Sequence, residues 1–552
     1  MTIDRLLARS RKRAVWLNTD VPEVAQAAFE QRHFQVSPCS EEELEQHAFL
    51  AGVGVVVFTQ NPHKAFQITR DLDRHLERLL DFDCRVIVQP VAPEKVEPGT
   101  RDQPPPDHRS IVTLYLSRRQ IPVAGNLLTD SVTNQRIRQQ GRSDPPAPHV
   151  RIMNGDETWD NIANYVMEHP PGDAPATAEQ LSIIGTNTRS GRSTPLRPSK
   201  ELLLRRAFAD CAEVHLVRMR DGHSRSEVYR AYPKVRIGLL KGKWLLPYFV
   251  KVGNRNQIFG EYENYMDAVN GYIPFHLGPH LVPERCCLGA RCGVIVGDWV
   301  EESESLRDCA RNGRAATAIA CLFDRTLHGW YRSAEMVEGK SLPQRLTNRF
   351  PKDIPAQRLV LTQQLGAQRS LRELKEAFFR CESQRVLVGP IHGDLHAANV
   401  RVRATDAIVI DFYSHRGAPL LFDFACLEAS LLVEGFANDP GTPVTRWFTS
   451  VEGLYAGTVD LAPGHADPHD ENSWFHACVR QIRHHAQRIQ IDEGQYALCL
   501  ALALLVKASK DPAVPVPEDF RRASAYVFAE RILEGSFGAQ HAIAPHAEAL
   551  VQ

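Results

Sequence analysis

Residues 391–423 read IHGDLHAANVRVRATDAIVIDFYSHRGAPLLFD, and the rest of the chain is organised around them. Asp394 and Asn399 stand at the two ends of a tight loop. Residues 408–410 make a short apolar β-run that delivers Asp411 to the same cleft, and a further acidic residue, Asp423, follows Gly417 and Pro419. A carboxylate, an amide and a second carboxylate converging in one place suit Mg²⁺, a hard cation that takes oxygen ligands, and can orient a hydroxyl nucleophile. This is the minimal equipment for phosphoryl transfer from a nucleotide. A lone His-Gly-Asp would mean little, since a buried Asp can cap a turn and a His can satisfy a carbonyl. The ordered succession around a strand is what carries weight.

The stretch resembles the C-lobe core of the aminoglycoside phosphotransferase and protein-kinase-like superfamily, and the resemblance spans roughly residues 180–540. It implies that Asp394 is the catalytic aspartate, with His392 bracing the catalytic loop. It implies Asn399 and Asp411 as the metal-binding pair, Asp423 as the buried acid that supports the lobe, and ATP and Mg²⁺ as cofactors. More narrowly, the whole chain resembles bacterial proteins with a ternary complex associated kinase-like domain, a group associated with multicomponent signalling or conflict systems.

Composition sets the frame. The 552 residues suffice for two to four domains, and 43% hydrophobic with 24% charged residues fits a soluble globular protein. A net charge of -1 argues only mildly against nucleic acid as partner, since a local basic patch can hide inside a neutral sum. The basic residues 1–12 precede no apolar core of a signal peptide, and the apolar runs are too short to span a membrane, so the expected location is cytoplasmic. The 12 cysteines form no CxxC pairs and read as free thiols, and the 22 histidines lack metalloprotease spacing. His484 and His485 are expected to face solvent or a partner.

The N-terminal region alternates strands and helices. Apolar runs at 14–18, 34–38, 52–59, 84–89 and 111–116 read as strands, and 21–32, 63–80 and 156–167 as helices, with a Ser40-led helix start. This predicts a small parallel sheet, and its order resembles a receiver domain of two-component signalling. The chemistry of a working receiver is missing: the central strand ends Val57-Phe58-Thr59-Gln60, and the first ends Leu17-Asn18-Thr19-Asp20. A degenerate receiver-like module and a generic α/β interaction domain both fit. Residues 170–175 look like a hinge, and 189–199 like a basic connector.

From Ser182 onward the pattern predicts a β-rich lobe. Residues 214–219 and 227–232 form a hairpin around Asp221-Gly222-His223-Ser224-Arg225-Ser226. Gly222, Ser224 and Ser226 can offer backbone N–H groups and hydroxyls to nucleotide phosphates, although a plain turn carries the same residues. Lys251 interrupts the apolar strand 246–252, and a buried ammonium demands a partner. It is the candidate phosphate-gripping lysine; a surface lysine lying along the strand is the alternative. Glu261, on a helix predicted at 256–269, is its candidate partner by the resemblance, with Glu263 as second choice. Residues 292–296 form another strand, and Trp299 follows at the expected hinge between lobes, where it packs either on the base or in the core. Helices are expected at 315–332, 371–380, 423–434, 474–490, 493–507 and 519–530, with a basic Pro-containing loop at 343–355.

The reading is a multidomain chain: a receiver-like α/β domain at 1–175, a kinase-like N-lobe and hinge at 176–300, and a helical C-lobe and tail at 301–552. The expected function is Mg-ATP-dependent phosphotransfer to a hydroxyl of a protein or small-molecule acceptor, with a protein partner docking through the N-terminal domain. The alternative is a catalytically inactive nucleotide-binding scaffold.

Overall fold

A computed structural model gives the fold. It describes residues 11–59, 67–89, 123–124, 149–153, 157–186, 196–219, 226–380, 385–411, 415–436, 444–464, 469–510 and 514–541. The chain divides into two units, Met1–Phe259 with Leu281–Trp299, and Gly260–His280 with Val300–Gln552.

The first unit holds two sheets. One is built from β1 (Arg13–Leu17), β2 (Gln35–Cys39), β3 (Val55–Thr59), β4 (Arg85–Gln89), β5 (Val123–Ala124) and β6 (Val150–Ile152) in the order β2-β1-β3-β4-β6-β5. Every neighbouring pair is parallel. Strands buried on both faces read as continuous apolar runs, as Val55-Val56-Val57-Phe58 does. Their side chains alternate between two cores. Val15, Val56 and Phe58 pack with Leu72 and Leu76 of the helix Gln67–Asp81. Ala14, Trp16 and Val57 pack with Phe29 and Trp159, on the helices Glu23–Glu30 and Trp159–Glu168. The run β2-β1-β3-β4 is the flavodoxin-like order. Ser40 starts its helix with a capping box, accepting from the Glu43 N–H at 3.2 Å while the Glu43 carboxylate accepts from its own N–H at 2.9 Å. The strand expected at 111–116 lies outside the described residues.

The second sheet comprises β7 (Ser182–Thr186), β8 (Cys211–Arg218), β9 (Glu227–Val235), β10 (Tyr248–Asn254), β11 (Cys287–Leu288) and β12 (Cys292–Asp298), ordered β11-β12-β10-β9-β8-β7. Only the β7–β8 pair among them is parallel. Val250, Val252, Val294 and Val296 pack against Leu203, Leu204 and Phe208, at the helix Pro198–Ala207.

The stretch read as a hinge is fastened. The Arg85 guanidinium donates to the carbonyls of His169 at 2.7 Å and Pro170 at 2.6 Å, and the Gly172 N–H donates to Asp83 at 2.6 Å. Asp83 also meets Arg85 at 2.9 Å, His149 at 2.7 Å and Arg206 at 3.3 Å. Arg206 lies on the helix beneath the second sheet and donates in addition to the carbonyls of Asp81 and Leu288. Burial works against the Asp83 charge, but Arg206 and Arg85 outweigh it and hold the carboxyl well below the usual carboxylate range. The two sheets of this unit are thus joined through a buried ionic cluster, which no local sequence pattern announces.

The second unit is mostly helical. Its strands are β13 (Glu304–Ser305), β14 (Glu335–Val337), β15 (Val386–Ile391), β16 (Val400–Arg403), β17 (Asp406–Val409) and β18 (His415–Pro419). They form two antiparallel sheets, β13-β16-β17 and β14-β15-β18. The helices Leu421–Glu434 and Gln495–Ser509 are apolar nearly all round, which suits their position in the core. The helix expected at 315–332 is broken into Ala315–Cys321, a π-helical turn Leu322–Thr326 and His328–Arg332. The expected loop at 343–355 is partly helical: Ser341 and Gln344 form a capping box on Leu342–Arg345. His485 is buried against Phe323, contrary to expectation, whereas its neighbour His484 is exposed. Among the described residues no helix is long and apolar enough to cross a membrane.

Candidate active site

The site of the second unit begins where β15 ends. Ile391 is buried, and the chain then turns through His392 and Gly393, whose φ of 80° lies in the left-handed region that favours glycine. Asp423, in the first turn of Leu421–Glu434 and 2% exposed, accepts from the N–H groups of His392 at 2.6 Å and Gly393 at 2.9 Å. Burial raises its pKa against the opposition of His392 and those two donors. His392 is fully buried, and its Nε2 meets the Ile410 carbonyl at 3.0 Å. A carbonyl only accepts, so Nε2 carries the proton and Nδ1 is left to accept from the Asp394 N–H at 3.4 Å. His392 therefore acts on the loop's backbone and is a positioning residue.

Asn399 closes the loop. Its Nδ2 donates to the Asp394 carbonyl at 3.3 Å, and its own N–H donates to the His396 carbonyl at 2.8 Å. The Asn399 carbonyl accepts from the Ile410 N–H at 2.8 Å, continuing the β16–β17 register Val400↔Val409. That pairing sets Asp411 one residue beyond the partner of Asn399, with φ at 64°. A non-glycine residue there is strained, and Asp is among those that tolerate it. The expected trio Asp394, Asn399 and Asp411 is gathered on one loop-and-hairpin framework.

Several residues at this site have no signature in the local sequence. Ser430, two turns along the helix from Asp423, accepts from the Ala397 N–H at 3.0 Å. Arg349 donates to the Gly393 carbonyl and stacks its guanidinium 4.8 Å from the Phe422 ring. Lys510 Nζ meets Asp394 Oδ1 at 3.0 Å, with the lysine and aspartate side chains 40% and 45% exposed. Behind it, buried Lys507 pairs with Glu434 at 2.7 Å. Burial opposes ionisation of Asp394, yet Lys510 and Lys507 prevail and lower its pKa well below the ordinary value. Burial, with Lys507, pushes His396 down to about 4. Glu434 falls to about 2, because Lys507 outweighs the cost of its burial.

In the first unit, Lys251 is 2% exposed on β10, between Val228 of β9 and Ile295 of β12, so it is not a surface lysine. Ser226 precedes β9 and presses on Gly253, where an added Cβ would stand 2.4 Å from its Oγ. Trp299 is half-buried beyond β12, with the Arg230 guanidinium 5.0 Å from its ring. Gly222 and Ser224 lie outside the described residues. Glu261 falls on the helix Arg255–Asn264, in the stretch assigned to the second unit. At the C-terminal ends of the parallel sheet, β3 closes on Thr59, whose hydroxyl bonds Gln89 at 3.3 Å, and Asn18 after β1 bonds Glu41 at 3.3 Å.

With the loop, its acids and its supports in place, comparison with known proteins becomes informative. Residues 277–448 match the Phosphotransferase enzyme family. No curated protein matches the chain. Among solved structures, an amicoumacin kinase in complex with AMP-PNP and Ca²⁺ is 14% identical, with 58% of this chain and 88% of that one covered at a TM-score of 0.32. A choline/ethanolamine kinase family protein from Mesorhizobium loti is 13% identical, with 58% and 91% covered and a TM-score of 0.30. An aminoglycoside-3'-phosphotransferase of type VIII is 19% identical, with 49% and 93% covered and a TM-score of 0.26. Scores of this size leave the chemistry to be argued from the residues themselves.

Proposed function

We propose that the chain is a Mg-ATP-dependent phosphotransferase acting on a hydroxyl of a protein or small-molecule acceptor. The observation that supports this best is the single framework carrying Asp394, Asn399 and Asp411, braced by Asp423 and His392. Among the described residues no group of three or more His, Cys, Asp or Glu could hold a metal ion. The available donors are instead the side-chain oxygens of Asn399 and Asp411. Few, hard oxygen ligands fit a cation that completes its shell with water and nucleotide phosphates, as Mg²⁺ does. Bound there, the ion would neutralise charge on the phosphates.

The residues of the chain divide the remaining work. Asp394, kept ionised by its lysine neighbours, accepts a hydrogen bond from the acceptor hydroxyl and aims its oxygen at the γ-phosphorus. Asp394 thereby positions or deprotonates the hydroxyl, whose proton passes to Asp394 or to water as the new P–O bond forms. Lys251 would grip phosphates with Glu261 as its partner. Ser226, with Gly222 and Ser224, would cover the phosphates, and Trp299 would lie by the base. The receiver-like N-terminal region would dock a protein partner, within a bacterial signalling or conflict system.

Calorimetry on the full-length protein is expected to show ATP binding that requires Mg²⁺. Asp394→Asn should keep that binding and lose transfer of labelled γ-phosphate to protein, metabolite or water. Full transfer activity in D394N, or wild-type protein that binds no ATP with Mg²⁺, would sink the reading. Binding without any transfer by the wild type would mark a nucleotide-binding scaffold.

A further inference from the structure

Lys510 stands 116 residues beyond Asp394 in the chain, yet its ammonium is hydrogen-bonded to that carboxylate at 3.0 Å. Its place is built rather than incidental. Lys510 caps the C-terminal end of the buried helix Gln495–Ser509. The fully buried Arg358 clamps that end, donating to the carbonyls of Ala508 and Lys510 at 2.6 Å each and to Asp519 at 2.7 Å. The same helix is tied to Leu421–Glu434 by the Lys507–Glu434 ion pair and by the Tyr496 hydroxyl, which donates to Glu428 at 2.6 Å. Leu421–Glu434 in turn carries Asp423 and Ser430, which hold the loop. One pair of core helices therefore positions both the aspartate and the lysine.

We propose that Lys510 is a catalytic cation, which contacts the phosphoryl group during its transfer. The proposal rests on the phosphotransferase reading above. A hydroxyl that donates to Asp394 Oδ1 at about 2.7 Å stands at most about 6 Å from the ammonium bonded to that oxygen at 3.0 Å, a gap that an oxygen of the phosphoryl group can bridge. In the transfer, the bond from the γ-phosphorus to the β–γ bridging oxygen breaks, and the nucleoside diphosphate leaves with its electrons. A bond from the acceptor oxygen to phosphorus forms, and the acceptor proton passes to Asp394 or water. Negative charge spreads over the oxygens of the moving group, beside Nζ, where a mobile yet placed ammonium can follow it. Lys507 cannot serve in this way, because it is buried and already neutralised by Glu434.

The test compares full-length wild type, Lys510→Met and Lys510→Arg by calorimetry, titrating Mg·ADP alone and Mg·ADP with aluminium fluoride, a mimic of the transferring phosphoryl group. We expect K510M to bind Mg·ADP as the wild type does and to lose about ten- to a hundredfold in affinity for the fluoride complex, the loss of one charge-assisted hydrogen bond. K510R should recover part of that loss. The side chain is 40% exposed, so circular dichroism should show K510M folded as the wild type. Equal or tighter binding of the fluoride complex by K510M overturns the assignment and leaves the phosphotransferase reading standing. Wild-type protein that binds neither complex refutes that reading, and the assignment with it.

Discussion

Asp423→Ala should loosen the loop at residues 392–399 without altering Asp394, Asn399 or Asp411. The carboxylate is 2% exposed and accepts two backbone N–H groups, at 2.6 and 2.9 Å. Its removal leaves two buried donors without an acceptor, at about 1–3 kcal/mol each. Part of this is returned, because burial disfavours the charge of this carboxyl in the wild type. A net cost of about 2–4 kcal/mol follows, and it acts locally, on the loop. Hydrogen exchange read by mass spectrometry in peptides spanning residues 391–396 should therefore accelerate about 30- to 700-fold, since about 1.4 kcal/mol is a factor of ten. Asp423→Asn keeps one oxygen acceptor but turns an NH₂ toward the other N–H, and should fall between wild type and D423A. Exchange within threefold of wild type in D423A would refute the argument that these two bonds hold the loop.

Other perturbations address the supports around it. Asp83→Ala strips the partner from buried Arg206 and Arg85, and should lower the stability of the first unit by about 3–5 kcal/mol, read as a drop in the urea midpoint. Glu428→Ala strands fully buried Arg483, bonded to it at 2.7 and 3.1 Å, and should cost a similar amount, about 3–5 kcal/mol, whereas a Glu428→Gln, Arg483→Met pair should be milder than either alone. Acid should weaken the second unit in two overlapping windows. His396 is lowered from 6.5 to about 4, so the unfolded chain takes up its proton first, and stability is lost as pH falls from 6.5 toward 4. Glu434 is lowered from 4.5 to about 2, so its contribution is present above 4.5 and is lost as pH falls toward 2. In His396→Gln the fall in thermal midpoint between pH 6.5 and 4.5 should flatten, and an unchanged slope would refute the first window.

The sequence and the structure agree where the governing interactions are local. The β-branched run Val55-Val56-Val57-Phe58 reads as a buried strand and is one, buried on both faces, and Ser40 with Glu43 spells its own helix start. The spacing of Asp394, Asn399 and Asp411 was legible because one hairpin, β16–β17, turns sequence distance into spatial register. Lys251 stood out because an ammonium in an apolar strand is a local anomaly. What could not be seen depends on chain segments far apart. Lys510 and Asp394 meet through the packing of two apolar helices, and periodicity does not say which residue of a helix end faces which loop. The 343–355 stretch was read as a loop from its prolines, yet Pro343 sits at the first turn of a short helix, where its missing N–H costs nothing. His484 and His485 read alike as facing solvent or a partner, yet one step along a helix turns a side chain by 100° or so, enough to bury His485 beside Phe323.

The Asp83 cluster also changes what truncation should reveal. If residues 170–175 were a free hinge, a chain beginning at Pro175 would keep the sheet that carries Lys251 intact and lose only the proposed docking surface. The sheet is not so independent. Arg206 is buried on the helix that covers it, and its partners Asp83 and the Asp81 carbonyl both precede the cut. The Ala290 N–H, in the β11–β12 turn, likewise loses its acceptor Asp81 at 2.8 Å. A buried guanidinium left without its carboxylate costs about 3–5 kcal/mol, a large share of the stability of an ordinary domain. The truncated chain is therefore expected to have a lower urea midpoint and weaker Mg·ATP binding, and Arg206→Met introduced into it should restore part of both. Truncation that leaves Mg·ATP affinity and the urea midpoint unchanged would show that the N-terminal region is a separable docking module after all.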